Sequence, residues 1–186
     1  MAKNDAKNVS VGKPMVDGAI FIAPAGTALP TDAVTTLDKA YENVGYISED
    51  GVTNAIETDS EEIKAWGGDI VANPQTSRSE TFSYTMIEQN EVAFKHVFGS
   101  ENVAVEEESG AITIKHNGKE REENPIVVET LLSGGKVKRQ VIPRGKVKEI
   151  GEIAYKDDEP IGYETTIQAL LDADGNTAYE YIAKLA

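Results

Sequence analysis

The chain has 186 residues, of which 32 are acidic and 18 are basic, so its formal net charge is -14. One domain accounts for this length, and the absence of cysteine excludes disulfides, zinc-thiolate sites and thiol catalysis. So acidic a surface disfavours binding of nucleic acid through phosphate contacts. The polar start and the lack of a long apolar run predict a soluble intracellular protein without a membrane anchor.

The beginning of the chain separates into a polar segment and the first part of a folded domain. We expect a flexible N-terminal arm over residues 1–15 and a single domain over residues 16–186. The run at 18–23 contains two isoleucines and a phenylalanine and stops before Pro24, which predicts a buried strand. Residues 25–38 are expected to form a loop, because glycine and proline interrupt any apolar periodicity there.

Residues 45–99 hold the most informative pattern. They predict two strands joined by a turn at Glu49-Asp50-Gly51, a long acidic connection at about 53–75, a third strand and a helix. Between residues 42 and 62 there are seven acidic residues and no basic one. Burying these carboxylates together would shift their pKa values strongly, so most of them are expected to face solvent or a partner.

The only tryptophan, Trp66, lies in this acidic connection and is followed by Gly67 and Gly68. Its side chain either covers a small satellite core, since tryptophan is usually well buried, or contacts another subunit, since tryptophan is enriched at interfaces. The sequence leaves both interpretations open. The two glycines permit a sharp change of direction beside it.

A strand and a helix are predicted directly after the connection. Phe82, Tyr84 and Met86 alternate with polar residues, which is typical of a half-buried strand. The helix is expected at 90–98, because its apolar residues recur at helical spacing and Gly99 can end it. One amphipathic helix packed against a sheet is the arrangement that these two patterns favour.

From residue 102 onward the pattern is almost entirely β. Asn117-Gly118 predicts a hairpin turn, and the apolar run at 125–132 predicts a central strand. Alternation at 162–170 predicts another strand, followed by a turn at 172–176 that does not match the spacing of a calcium loop. The last segment, 179–185, fits either a strand or a short helix.

Residues 136–148 form the one basic stretch and contain no acidic residue. Its six cations are Lys136, Lys138, Arg139, Arg144, Lys146 and Lys148. The stretch lacks interleaved aromatic residues for stacking on bases. We consider two interpretations equally: solvated faces of two strands, or a basic surface that meets the acidic region of a neighbouring subunit, since complementary charge fixes register.

Residue types that could support catalysis do not come together in the sequence. The two histidines, His96 and His116, lie in different predicted elements without a triad pattern around them. Nucleotide-binding glycine motifs and a nucleophile elbow are also absent from the sequence. We therefore expect a protein that is not an enzyme, with no catalytic, cofactor-binding or metal-binding residue.

Taken together, these patterns resemble the major tail tube proteins of long-tailed (siphophage-type) bacteriophages. The resemblance rests on Val44-Gly45-Tyr46-Ile47-Ser48-Glu49-Asp50-Gly51-Val52, on Thr58-Asp59-Ser60 leading to Ala65-Trp66-Gly67-Gly68, and on Glu80-Thr81-Phe82-Ser83-Tyr84 before the helix that ends at Phe98-Gly99. It covers roughly the first hundred residues, and the β-rich remainder is compatible with it.

The resemblance implies a mainly β fold, a β-sandwich or half-barrel with one short flanking α-helix, in a subunit of hexameric rings that stack into a hollow tube. The connection at 53–75 is then expected to reach the adjacent ring, and the N-terminal arm is a second candidate for this contact. The implied partners are further copies of the chain and the tail tip, tape measure and tail terminator proteins. DNA is expected to pass through an acidic lumen without specific binding, in a virion tail assembled in the host cytoplasm.

The expected contacts between subunits come from the acidic connection and the basic stretch. The candidate residues are Asp59, Glu61, Glu62, Ile63, Trp66, Gly67, Gly68, Lys136, Lys138, Arg139, Arg144, Lys146 and Lys148. Alternatives to a tube subunit are a ring-forming tail terminator, a secretion-tube protein and a monomeric β-sandwich binding module. A binding module should present an aromatic cluster, whereas only 6% of the residues are aromatic and these are spread along the chain.

Overall fold

The computed structural model describes residues 4–185. These residues form thirteen strands and one α-helix. The strands are β1 (Gly12–Pro14), β2 (Ile20–Ile22), β3 (Glu42–Asn43), β4 (Ile47–Ser60), β5 (Ile63–Lys64), β6 (Ile70–Ala72), β7 (Gln75–Met86), β8 (Val103–Val105), β9 (Ile112–Ile114), β10 (Glu123–Leu132), β11 (Lys136–Ile150), β12 (Tyr163–Ala169) and β13 (Tyr179–Lys184). The helix α1 spans Glu91–Phe98. The predicted fold class, mainly β with one short helix, is confirmed.

Nine strands form one antiparallel sheet. Seven of them follow the order β3-β2-β10-β11-β12-β7-β4, and the other two attach beside this path, because β1 pairs with β10 and β13 pairs with β11. The remaining strands form two separate ladders, β5 with β6 and β8 with β9. The predicted central strand at 125–132 is β10, which has neighbours on both of its edges.

The middle of the sheet is buried on both faces. Ile126 and Val128 point into the main core, which also contains the inward residues of β7 and β12 and the apolar face of α1. Val127 points the opposite way, into a smaller core with Val141 and Tyr41. This explains why residues 126–128 of β10 are all apolar, whereas β7 and β12, each with one buried face, alternate.

Helix α1 is capped at both ends, and of the two caps the sequence predicts the one at Gly99. The side chain of Asn90 accepts a hydrogen bond from the backbone N–H of Ala93 at 2.9 Å, which caps the first turn. Gly99 ends the helix with a φ of 93° and donates its N–H to the carbonyl of Lys95. The helix then lies on the main core through Ala93, Phe94 and Val97, as its spacing predicts.

Strand β11 carries the chain from one half of the sheet to the other. Its first part pairs with β10 and β13, and its last part pairs with β12. Gly145 lies at this change, and a Cβ atom there would lie 2.6 Å from the side chain of Ile126. Only glycine allows the two strands to approach so closely at the bend.

The turn predicted at Glu49-Asp50-Gly51 is wrong. These residues lie inside β4, which continues in one direction. Ile47 pairs with Met86 and Val52 pairs with Tyr84, so five steps along β4 match two steps along β7. The extra residues form a bulge, and Gly51 takes a φ of 69° within it.

The prediction that residues 53–75 form a long loop is also wrong. β4 and β7 remain paired as far as Ser60 and Gln75, and β5 and β6 extend the same hairpin. Its polar sequence resembles a loop because no face of it is buried in the chain, although its backbone is paired.

The structure also differs from the predictions at residues 117–118 and at the N-terminus. Residues 117–118 do not begin a hairpin, because the side chain of Asn117 bonds to the side chain of Asn102 at 2.6 Å and accepts the N–H of Lys119. The chain from 115 to 122 is therefore irregular. At the N-terminus, β1 pairs with β10, so this part of the predicted arm is a strand, while residues 1–3 lie outside the described residues.

Candidate assembly surfaces

The most unusual feature of the molecule is a hairpin that leaves the body of the sheet. β12 accompanies β7 only as far as Thr81, whereas β4 and β7 continue as a two-stranded ribbon that ends in β5 and β6. We call residues 56–80 the arm; from here on this name refers to the hairpin and not to the N-terminal segment at residues 1–15. Every residue from 53 to 78 is exposed. A ribbon of this length without a buried face is marginal in water unless it packs on something else.

The tip of the arm carries apolar side chains that no part of residues 4–185 covers. Trp66 is 108% exposed, so the interpretation that it covers a satellite core is wrong. Ile63, Ile70 and Val71 are each at least half exposed beside it. The tip turn is closed by a hydrogen bond of 2.8 Å from the N–H of Ala65 to the carbonyl of Asp69.

The candidate contact residues of the arm are spread along its ribbon and its tip turn. Asp59 accepts a hydrogen bond of 2.7 Å from the hydroxyl of Ser77 across the ribbon. Glu62 forms an ion pair with Lys64 at 3.4 Å, and Glu61 is exposed. Gly67 and Gly68 both take positive φ angles in the tip turn, with open space where a Cβ would lie.

Strand β4 is an open edge of the sheet. It pairs with β7 on one side, and within residues 4–185 no strand pairs with its other side. Monomeric β proteins usually guard such an edge with lysine or proline. Residues 47–60 contain neither, so the free backbone groups from Val52 to Ser60 can pair with a strand of another molecule.

The face of β7 opposite the core is a row of hydroxyl groups. Five outward positions in succession are serine or threonine: Ser77, Ser79, Thr81, Ser83 and Thr85. On β12 the row continues, since the hydroxyls of Ser83 and Thr166 lie 3.0 Å apart. This face offers hydrogen bonds to water and presents neither an aromatic side chain nor a large aliphatic one.

The basic stretch lies in β11, and Arg139 in it is buried. This side chain is 4% exposed and forms an ion pair with Glu129. Its Nη1 donates to the carbonyls of Asp32 at 2.8 Å and Thr35 at 2.9 Å. The guanidinium is therefore engaged within the subunit, and contact with a neighbour stays an untested prediction for this residue.

Three other cations of the stretch also have partners within the chain. Lys138 pairs with Glu180 at 2.7 Å, Arg144 pairs with Glu123 at 2.8 Å, and Lys146 pairs with Glu120. The two remaining candidates, Lys136 and Lys148, form no ion pair with other residues in the range 4–185. The stretch is thus largely neutralised by its own subunit, which favours the solvated-strand interpretation for most of it.

The histidines do not form a catalytic arrangement with each other. His96 is buried on α1, and its Nε2 lies 2.8 Å from the hydroxyl of Tyr84 on β7. Burial, and to a smaller extent the charge of Arg121, lowers the pKa of His96 to about 4. His116 is exposed, and its ring packs on Phe98.

Residues 4–185 present neither a cluster of metal-ligating side chains nor a helix suited to span a membrane. Histidine, aspartate and glutamate side chains do not cluster in groups of three or more that could hold a metal ion. Within the same residues, no helix has the length and apolar character that crossing a membrane requires. Neither observation identifies a ligand for this part of the chain.

A sheet with an open edge, an arm without a core and an apolar tip define a subunit of a larger protein assembly. A family model described as phage tail tube protein matches residues 1–186, which is the whole chain. The chain therefore belongs to the phage tail tube protein family, a family of structural proteins of the phage tail. A search of curated proteins finds no match.

Sequence reasoning located the arm residues but missed two features of these surfaces. The hydroxyl row could have been read from the alternation of Ser and Thr between 77 and 85. The ion pair of Arg139 joins β10 and β11 across a hairpin, and the contacts to Asp32 and Thr35 span more than a hundred residues. Pairing over such separations is set by sheet register, which the sequence pattern does not specify.

Proposed function

We propose that this protein assembles into stacked rings that form the tube of a phage tail, and that the tube conducts DNA into the host. The observation that carries the proposal is the arm, which places Trp66 and its apolar neighbours in water. Water is an unfavourable environment for such side chains, and a second copy of the chain can cover them.

Ring formation is supported by two open edges of the sheet. One is β4. The other lies within β11, because β10 pairs with β11 only up to Lys146 and no strand among residues 4–185 pairs with that edge of residues 147–150. We infer that β4 of one copy pairs with residues 147–150 of the next, which joins the strands into a continuous barrel. Such a contact uses two different surfaces and gives a ring when the rotation from copy to copy closes; we propose that it closes with six copies.

Stacking of rings is supported by the length of the arm. A ring closed through its sheet edges leaves the tip residues Ile63 and Trp66 outside the ring contact. We propose that the tip packs on the adjacent ring and that Asp59, Glu61 and Glu62 lie in the same contact. Because this contact repeats along the axis without closing, a tube results.

The hydroxyl row is the surface that we expect to line the channel. Closing the sheet into a barrel gives one face to the interior, and along β7 and β12 the face opposite α1 and the main core is the one that no core among residues 4–185 covers. Serine and threonine bind water and attract phosphate weakly, while the overall charge of -14 repels DNA. DNA would then pass without being held.

The tube also requires partners at its two ends and inside it. We propose a tail tip complex, a tape measure protein and a tail terminator in these roles. The protein would be made in the host cytoplasm and end in the virion tail. Its function in this proposal depends on self-association alone, without a cofactor.

Negative-stain electron microscopy of the concentrated, purified protein tests the proposal. Hollow tubes with a regular ring repeat are the expected result. Single rings that never stack would instead favour a tail terminator. Monomers at every concentration, including after addition of the tail tip complex as an initiator, would overturn self-assembly.

A matched pair of variants tests the part played by the arm. Trp66→Ala should abolish stacking, because it removes the largest apolar side chain at the tip. Tyr155→Ala is the control, since Tyr155 is also an exposed aromatic residue but lies outside the arm. Equal tube formation by both variants would contradict the proposed contact.

A further inference from the structure

One buried carboxylate lies where the arm leaves the body. Glu80 is the residue of β7 just before Thr81, the last position that pairs with β12. It is 6% exposed, although every residue from 53 to 78 is exposed. An acidic side chain is rarely buried this far unless its oxygens accept hydrogen bonds or ion pairs.

The oxygens of Glu80 accept hydrogen bonds from three side chains: one on β7 itself, one on β4 and one just before β13. Arg78 on the arm donates to Oε2 at 2.8 Å, and the hydroxyl of Thr177 donates to the same oxygen. Asn54 on β4 donates to Oε1 at 3.2 Å. Arg78 also donates to the hydroxyl of Thr177 at 2.9 Å, which closes a triangle of hydrogen bonds. We call these four residues the clamp.

The clamp lies between the arm and a different part of the body. β12 and β13 pair with the same edge of β11, β12 at residues 145–150 and β13 at residues 136–141. Thr177 lies just before β13. Past Thr81 toward the arm, the backbone of β7 pairs with β4 alone, so the root of the arm is joined to the body by the side chains of Thr177 and of Gln168, which donates to the carbonyl of Glu80 at 3.0 Å.

A two-stranded ribbon bends and twists easily when it leaves a sheet. Its direction is then decided by contacts at its root. The clamp supplies such contacts, because Thr177 lies two residues before β13 of the body and Arg78 belongs to the arm. A carboxylate that accepts from charged and neutral donors together makes bonds about twice as strong as those between neutral groups.

We propose that Glu80 is a positioning residue, which fixes the direction in which the arm leaves the body and thereby the geometry with which one ring meets the next. The use of the arm in stacking rests on the proposed function. The clamp itself does not, since it is a property of the single chain.

The charge state of Glu80 is consistent with this role. Burial raises its pKa, but the hydrogen bonds from Thr177, Arg78 and Asn54 outweigh burial and lower the pKa from its usual value. The charged groups that face it are the guanidinium of Arg78 and no other cation among residues 4–185. The carboxylate is therefore ionised at neutral pH and the clamp is closed.

The chain is well suited to measuring the direction of the arm. Its only tryptophan is at the tip, and it contains no cysteine. Ile182 on β13 is exposed, so Ile182→Cys can carry a thiol-reactive acceptor dye without disturbing the core. Time-resolved energy transfer from Trp66 to this dye, in dilute monomer, gives the distribution of distances between the tip and the body.

Two clamp variants and one control are compared in this labelled background. Glu80→Gln removes the charge and keeps the size, while Thr177→Val removes the hydroxyl and leaves all charges in place. Glu57→Gln is the matched control, because Glu57 lies on the arm opposite Ser79 and is exposed. If Glu80→Gln fails to fold, Thr177→Val still tests the inference.

We expect both clamp variants to broaden the distance distribution, and the control to leave it unchanged. Amide hydrogen exchange at residues 75–80 should become about tenfold faster in the clamp variants, as loss of a charged hydrogen bond implies. Exchange in the core strands β10 and β12 should not change. A distribution identical to that of the parent in both clamp variants, or equal acceleration throughout the chain, would overturn the inference.

Electron microscopy of the same variants separates this inference from the proposed function. If the parent chain forms tubes and the clamp variants form rings that stack poorly or with a changed twist, both hold. If the parent never forms tubes but the distance distribution still broadens, the clamp holds and the proposed function fails. If the variants form tubes with the parent's twist and repeat, the positioning role in stacking is refuted.

Discussion

Arg139 and Glu129 lie directly opposite each other on β11 and β10, and their side chains form an ion pair inside the protein. The same guanidinium holds the loop at 25–38 through the carbonyls of Asp32 and Thr35. One side chain thus joins the sheet to the loop that covers the smaller core. A buried pair of this kind is costly to break, because the partner that remains keeps an uncompensated charge.

Replacing Arg139 should therefore destabilise the monomer. For Arg139→Leu we expect the free energy of unfolding to fall by about 3–5 kcal/mol, the usual cost of breaking a buried ion pair. Urea denaturation of the monomer measures it. Lys148→Leu on the same strand is the control and should change stability by about 0.5 kcal/mol or less, since Lys148 is exposed. Equal losses in the two variants would contradict a structural role specific to Arg139.

The burial of His96 on α1 should make stability depend on pH. His96 has a pKa of about 4 in the folded protein, below the ordinary value of 6.5, so the unfolded chain binds the extra proton between these values. As pH falls from 6.5 to 4, the free energy of unfolding should decrease by up to about 3 kcal/mol.

Two histidine variants separate this effect from acid titration elsewhere in the chain. His96→Gln keeps a polar partner for Tyr84 but cannot titrate, so it should flatten the dependence between pH 6.5 and 4. His116→Gln should leave that dependence as in the parent, because His116 is exposed. Chemical denaturation at several pH values measures both, and the same slope in all three proteins would refute the assignment to His96.

The arm should be dispensable for folding but not for assembly. Asp59 pairs with Ser77 across the ribbon, so an Asn-Gly turn in place of residues 60–76 closes a shorter hairpin in register. Because every replaced residue is exposed, we expect monomer stability to change by less than about 1 kcal/mol. Tube formation, followed by light scattering and electron microscopy, should be lost. Normal tubes from this variant would exclude the arm from stacking.

The free edge of β4 offers a test of ring formation. Lysine on an edge strand opposes pairing with a further strand, so Ala55→Lys should prevent rings while leaving the fold intact. Ala173→Lys, in an exposed turn away from the sheet edge, controls for the added charge. Sedimentation of both variants gives the ring fraction. Rings of Ala55→Lys in parental amounts would show that β4 is not the lateral contact.

The strands and the helix of the body could be predicted, because the side chains that they bury are apolar and recur in the sequence with the period of a strand or a helix. Phe82, Tyr84 and Met86 face the main core and alternate with polar residues, and the apolar residues of α1 recur at helical spacing. The arm lacks this signature. Its strands from Thr53 to Arg78 have no buried face, so their sequence carries no period that distinguishes a strand from a loop.

The candidate assembly surfaces likewise contain residues that the sequence identifies and contacts that it does not. The acidic and apolar residues of the arm are neighbours in sequence, and proximity alone brought them together. The burial of Glu80 could have been predicted, because Glu80 continues the inward positions of Phe82 and Tyr84 along β7. Its bond to Thr177, ninety-seven residues away, depends on the sheet order and could not be read from either residue.

Trp66 should report tube formation directly. It is the only tryptophan, and in the single chain its side chain is fully exposed, so the monomer should show the emission of tryptophan in water. Burial of the tip against an adjacent ring would move this emission to shorter wavelength, because the indole ring leaves water for an apolar contact. Emission is recorded as concentration rises, beside light scattering on the same samples. Tubes whose tryptophan emission stays that of the monomer would show that the tip is not buried between rings.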